Sequence, residues 1–259
     1  SFIVQISDGT ETDTITVNVT VRDPILDLFA SGDQGFYYRR SVSKYWQDSS
    51  QTTLATMAGD PVAVIEDLSS NGNNAIAPSG SARATLGVKT VLFDGIDDQY
   101  SVNPSAAGPP SSSNTLVAVV TLTSNDFEYI LGGGVDDGFL ALFNNGQIRP
   151  AVVHISNITA GDGTTDIIDG QKHIVSYRYD RTNQRLIGRV NGVTEVDTPA
   201  SNQDKTSFTQ LSYGFRGSNN QTFWNGEIID TVFIDRALTT AELEIAEQRL
   251  ANEHGISLP

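Results

Sequence analysis

The 259-residue chain contains no cysteine, so it has no disulfide framework, no thiolate nucleophile and no cysteine-based zinc site. Its three histidines, His154, His173 and His254, are far apart in sequence, which argues against a histidine-rich metal centre. No apolar run approaches the roughly 20 residues of a membrane-spanning helix, so membrane insertion is not expected. Basic residues are scarce: 16 Lys and Arg against 31 Asp and Glu leave a net charge of −15. That balance opposes binding to a nucleic-acid phosphate backbone, which needs a cationic surface. It suits an extracellular particle or a protein that collects cations. The chain begins Ser1-Phe2 and its single methionine is Met57. It reads as the C-terminal piece of something longer, or as a chain whose initiating Met was removed before Ser1.

What is present is a β-pattern. Residues 1–23 alternate, with Phe2, Val4 and Ile6 on one face, an Asp8-Gly9 turn, and Ile15, Val17, Val19 and Val21 on the return. This period-two pattern around Asp-Gly predicts a hairpin. An isolated hairpin is marginal in water, so its partners must lie in an upstream module, the main domain or a neighbouring subunit; the hairpin resembles the end of a cadherin- or immunoglobulin-like module, or a strand-donating arm. Asp23-Pro24 marks a boundary. Residues 24–59 show no long period and read as an extended wrap or linker with a short helix or turn near "SVSKYW". From residue 60 to 259, short apolar runs recur between Gly, Asn and Asp turns, the pattern of a β-sandwich. "FNNGQI" and "RVNGVT" carry Asn-Gly hairpin signals. One helix is expected near the end, capped by Thr239 or Thr240, with Leu243, Ala246 and Leu250 as its buried stripe and Gly255 closing it.

Two polar turns stand out. In "EDLSSNGNNA", Asp67 with Asn71 and Asn73 either helps hold a Ca²⁺, which takes six to eight oxygens, or closes a left-handed turn at Asn71-Gly72 while Asp67 and Asn73 cap backbone N–H groups. In "FDGIDDQY", Asp94, Asp97 and Asp98 place three carboxylates within five residues. They repel one another unless a cation or solvation relieves them. For sugar binding, aromatic faces beside polar groups are needed, and the candidates are Tyr129, Tyr213 and Phe223 with Arg216, Asn219 and Asn220 of the "YGFRGSNNQTFWNG" loop. Trp224 reads as packing. No catalytic set emerges: a glycosidase needs two facing carboxylates, and the acid-rich runs "ETDTIT" and "TAELEIAEQ" fall in the hairpin and the helix. Gly-x-Ser-x-Gly is absent.

The order "EDLSSNGNNA", then "LFDGIDDQY", then "WNGEIIDTVFIDRALTTAELEIAEQRLANEHGI" resembles laminin-G-like, concanavalin-A-like lectin and glucanase modules, whose motifs read D-x-S-G-N-G-N, F-D-G-x-D-D and W-x-G-x-I…R-x-L-T. Ser70 stands where that family has its first Gly. The upstream "LFASGDQGFYYRRSVSKYWQDSSQTTLAT" resembles modules of phage virion proteins, with Tyr38-Arg39-Arg40 in place of an acidic segment. The resemblance implies an all-β antiparallel sandwich of jelly-roll, concanavalin-A-like type with a short C-terminal α-helix and the N-terminal hairpin. It further implies a non-enzymatic module on a virion or other extracellular assembly that binds surface glycans, with Ca²⁺ stiffening its loops. The alternatives are a purely structural virion decoration or cementing protein, docked to other subunits or to copies of itself through the hairpin, or a polysaccharide-cleaving enzyme.

Overall fold

The computed structural model describes residues 2–7, 9–10, 12–17, 22–88, 90–109, 111–124, 127–133, 140–154, 157–205, 210–215 and 222–259. In chain order the first elements are β1 (Phe2–Ser7), β2 (Thr12–Val17), α1 (Pro24–Asp27), β3 (Gly35–Arg39), β4 (Tyr45–Trp46), β5 (Val64–Ile65), β6 (Ala75–Ile76), β7 (Thr85–Leu86), β8 (Val91–Asp94) and β9 (Tyr100–Val102). Then come β10 (Asn114–Leu122), β11 (Glu128–Gly133), β12 (Leu140–Asn144), β13 (Gln147–Val153), β14 (Ile158–Ala160), β15 (His173–Asp180), β16 (Arg185–Val190), β17 (Val193–Pro199), β18 (Leu211–Tyr213), β19 (Asn225–Ile234) and α2 (Thr240–His254).

Two antiparallel sheets make the sandwich. One runs β17-β16-β15-β10-β19-β8-β7, and the other runs β14-β13-β12-β11-β18-β9-β6-β5-β4. The long β19 organises the first sheet. β10 takes one of its edges, and the other is divided between β8, against Asn225–Ile228, and β3, against Asp230–Ile234. Residues 24–59 are thus more than a wrap, since β3 and β4 supply a strand to each sheet. The "SVSKYW" stretch is a turn entering β4, and the one-turn helix lies earlier, at Pro24, capped by Asp23. The β1–β2 hairpin pairs Phe2 with Val17 and Val4 with Ile15, and joins neither sheet among the described residues.

The β10 sequence lacks alternation because both its faces are covered. Leu116, Ala118 and Val120 enter the core between the sheets, while Val117 and Val119 pack under α1 and α2. Strands buried on both faces read as continuous apolar runs. The inter-sheet core is aromatic, with Phe36 stacked between Tyr38 (4.5 Å) and Phe233 (5.4 Å), and Tyr213 edge-on to Tyr38, Phe93 and Tyr100. Buried tyrosine hydroxyls need partners. Tyr177 donates across the sandwich to the Ala151 carbonyl at 3.2 Å, and Tyr213 shares a 2.8 Å bond with Thr231.

The helix α2 has the expected stripe: Leu243, Ala246 and Leu250 are buried against Val117, Val119, Ile174 and Ile229. Thr239 and Glu242 form a reciprocal capping box, and Gly255 ends the helix in the left-handed region at φ 69°. The guanidinium of Arg236 grips Glu242 and Asp33, and this holds the Glu242 carboxyl down at about 2. Both Asn-Gly hairpins form, with positive φ at Asn145 and Gly146 and at Asn191 and Gly192, the pattern of a two-residue primed turn.

Candidate functional site

The "EDLSSNGNNA" turn is a backbone clamp. Asp67 is buried, and its Oδ1 accepts from the N–H groups of Tyr37 and Ser69, both at 2.8 Å. Its Oδ2 accepts from the Ser69 hydroxyl at 2.8 Å and the Asn73 N–H at 3.0 Å. Four donors spend this carboxylate on the turn and on β3. The amides of Asn71 and Asn73 both donate to the Gly35 carbonyl, at 3.2 and 2.7 Å, and Asn71 also reaches the Asp33 carbonyl. Capping chemistry therefore accounts for Asp67, Asn71 and Asn73, in place of the cation role that the sequence left open for them. The left-handed residues are Ser70 (φ 69°) and Gly72 (φ 73°), not Asn71. A non-glycine residue there carries a steric cost of about 1–2 kcal/mol. Ser70→Gly removes that cost and adds some unfolded-state entropy. The expected net gain is about 0.5–1 kcal/mol, read as a rise of about 2 °C in the thermal midpoint.

The second acidic turn is different. Asp94, Asp97 and Asp98 each bring one carboxylate oxygen within 4.8 Å of the others, and Asp67 is not among them. The turn is built by local bonds: Asp98 Oδ2 accepts from the Asp94 N–H at 2.8 Å, and Asp94 Oδ1 accepts from the Ile96 N–H at 2.8 Å. Burial raises the Asp98 carboxyl most; the Asp94 N–H pulls it back, and the charges of Asp94 and Asp97 push it further, to about 6. The folded state thus holds a proton that the unfolded chain has lost. Stability contributed by this proton is present below about pH 4, declines as the pH rises towards 6, and is gone above it. Asp98→Asn keeps an oxygen for the Asp94 N–H and is expected to erase that decline and raise the metal-free midpoint at pH 7 by about 2–4 °C. Thermal melts between pH 4 and 7 check it.

Beside this turn lies a cleft of ≈ 270 Å³ lined by Gly95, Ser124, Phe127, Glu128, Phe223 and Asn225 among others. Asn225 pairs with Asp94 across β8 and β19, and its side chain packs over Gly95, where a β-carbon would approach to 2.8 Å. The Asn225 N–H donates to buried Glu128 at 2.9 Å, and Thr123 donates to the Asn225 side chain at 2.8 Å. These bonds hold the floor in place. Phe127 is 49% exposed, and Phe223, half-buried, stacks on Phe215 with its ring 6.1 Å away. The cleft therefore has an aromatic rim, a polar floor and an acidic neighbour.

Of the aromatic candidates, Phe223 reaches this cleft, whereas Tyr129 and Tyr213 do not offer a face. Tyr213 is 2% exposed in the aromatic core, and Tyr129 is buried against Ala151 and Ala160. Arg216, Asn219 and Asn220 lie outside the described residues. Phe127 and Glu128 had no motif to announce them, and Asn225 stood at a variable position of the W-x-G-x-I run.

No family model matches the sequence, and no curated protein matches it. Solved structures do. The binding domain of Paraclostridial Mosquitocidal Protein 1 aligns with a TM-score of 0.60 at 14% identity, over 88% of this chain and 53% of that one. The ligand-binding domain of botulinum neurotoxin serotype D, solved with N-acetylneuraminic acid, aligns with a TM-score of 0.61 at 10% identity, over 85% of this chain and 52% of that one. The binding domain of botulinum neurotoxin DC, in complex with SialylT, aligns with a TM-score of 0.56 at 9% identity, over 87% and 52%. At such identities the likeness establishes the fold, a β-sandwich of the kind found in these binding domains. The chain spans about half the length of each.

Proposed function

We propose that this chain is a non-enzymatic glycan-binding module, and that the Phe127–Phe223 cleft receives the sugar. The observation that carries the reading is the meeting, at Gly95 and Asn225, of the exposed Phe127 ring and the half-buried Phe223 ring with fixed polar groups and an acidic turn. Sugars present apolar C–H faces and a rim of hydroxyls, and aromatic rings flanked by carboxylate and amide groups match both. The likeness to toxin binding domains, one of them solved with N-acetylneuraminic acid and one with SialylT, supports a glycan partner. Among the described residues no helix is long and apolar enough to cross a membrane. Display on a virion or another extracellular assembly rests on the resemblance of the sequence to virion modules.

Asp94, Asp97 and Asp98 supply hard oxygen donors of the kind Ca²⁺ takes. Their mutual repulsion, which adds to the larger effect of burial at Asp98, is what a bound cation would relieve. These three residues would hold the ion, which would stiffen the turn under Gly95. The test is a panel of surface polysaccharides and oligosaccharides offered to the full chain in Ca²⁺ and again in EDTA. Saturable binding to a glycan is expected, weakened in EDTA. Binding that survives EDTA removes the metal from the account, and no binding to any glycan sinks the reading. A second reading, docking to other subunits or to copies of the chain by strand addition, is favoured by the β1–β2 pair, which joins neither sheet among the described residues. In that case deleting residues 1–17 dissociates the assembly and leaves glycan binding untouched.

A further inference from the structure

A second cavity, of ≈ 340 Å³, lies where the chain reversal after β3 meets the end of α2, lined by Arg40, Ser41, Val88, Lys172, Glu253 and His254. It adjoins a larger one of ≈ 480 Å³ that shares Val88 and Lys172. Among the described residues Arg40, Arg83, Lys172 and Arg178 make no ion pair, and two of them meet at this cavity. With 31 acidic and 16 basic residues, nearly every cation has a carboxylate to choose from. Arg39, Arg181, Arg185, Arg189, Arg236 and Arg249 all form ion pairs. Neither Arg40 nor Lys172 makes an ion pair among the described residues, although both face one cavity. The Arg40 guanidinium lies 5.1 Å over the Tyr45 ring, makes one long 3.4 Å contact to the Gly87 carbonyl, and leaves a buried Nε without a partner.

The acids nearby are already committed. Glu253 is held by Arg39, Arg249 and the Ser41 hydroxyl, the last at 2.6 Å. Asp230 is buried, accepts from the Arg40 N–H at 2.8 Å, and contacts His254 Nε2 at 2.7 Å. Lacking a protein anion, the two cations have their donor capacity to give to a ligand. A planar carboxylate suits a guanidinium fork, with a lysine as a second point charge. Around them Ser41 and His254 offer hydroxyl partners, and Val88, 81% exposed, offers an apolar surface.

The geometry points to a binding site for a carboxylated sugar, such as a uronic acid residue, in the cavity lined by Arg40 and Lys172. It is a separate site from the aromatic cleft and stands or falls independently of it. The experiment is an amide chemical-shift titration of the full chain with methyl β-glucuronoside, with methyl β-glucoside and with sodium sulfate. Expected are saturable shifts at Ser41, Lys172 and His254 with the glucuronoside alone, and an affinity at least threefold lower in 500 mM than in 50 mM salt. Arg40→Gln should weaken binding about tenfold. Lys172→Gln, a half-buried position with no ion pair to lose, should weaken it about fivefold and guards against a folding defect in the first variant. Phe127→Ala should leave it unchanged. Equal shifts with the neutral glycoside, equal affinity for sulfate, or no shift at these amides would overturn the assignment.

Discussion

Asp67→Ala is expected to destabilise the protein by about 3–5 kcal/mol. The carboxylate accepts four hydrogen bonds, three of them from the backbone N–H groups of Tyr37, Ser69 and Asn73. Removing it strands those donors in a buried place, and each stranded donor costs about 1–3 kcal/mol before relaxation. A loss of that size is a large fraction of the 5–15 kcal/mol that holds a typical domain together. Asp67→Asn is expected to cost less, about 1–3 kcal/mol, because one side-chain oxygen still accepts while the amide group faces donors. Urea melts measure both. The loss should be the same in EDTA as in Ca²⁺, because the residue's work is done within the chain. A wild-type protein that falls to the variant's stability on adding EDTA would make Asp67 a metal ligand instead.

Gly35→Ala attacks the same clamp from the other side and should be at least as damaging, with a loss of more than about 4 kcal/mol or failure to fold. Gly35 sits at φ 138°, and a β-carbon there would lie 2.0 Å from the Phe233 carbonyl oxygen. The obstacle is the backbone of β19, which cannot swing away as a side chain would. Gly35 pairs with Ile234, and its carbonyl receives both Asn71 and Asn73. Moving β3 to make room would break the strand pairing and the turn together. Gly80→Ala, with open space around it, is the control and should change stability by less than 0.5 kcal/mol, about the range of ordinary surface substitutions. A Gly35→Ala protein as stable as that control would contradict the clamp.

These two positions show what the sequence made legible. The Asn-Gly hairpins, the Thr239–Glu242 cap and the Leu243–Ala246–Leu250 stripe are local devices, and local devices can be read along a chain. The polar density of "SSNGNN" marked a turn, yet its anchor on Gly35 lies 36 and 38 residues upstream of the two asparagines that bind it. Strands β3 and β4 escaped notice because they are short and lie amid turns. Tyr129 and Tyr213 looked like sugar platforms because exposure of an aromatic ring cannot be read from its neighbours in strands covered on both faces. The acidic triad was visible as three Asp residues in one turn. The cleft beside it was not, because Glu128 and Asn225 stand 97 residues apart on strands of different sheets and meet only in the fold. Arg40 and Lys172 are as scattered, and their lack of carboxylate partners among the described residues can be recognised only in three dimensions. The burial of Lys205 was equally hidden: it is 1% exposed, and burial, offset in part by Asp235, lowers its ammonium to about 7, with nothing in the surrounding "NQDKTSF" to foretell it.

The central claim is that Phe127 and Phe223 form the rim of a glycan site. Its most direct test is titration calorimetry of the tightest glycan from the panel against the wild-type chain and against Phe127→Ala, Phe223→Ala and the double variant. Each ring is expected to contribute about 1–2 kcal/mol, so each single variant should weaken binding about tenfold and the double should abolish it, with melting behaviour near that of the wild type for Phe127→Ala. Unchanged affinity in the double variant would place the sugar elsewhere and contradict the account.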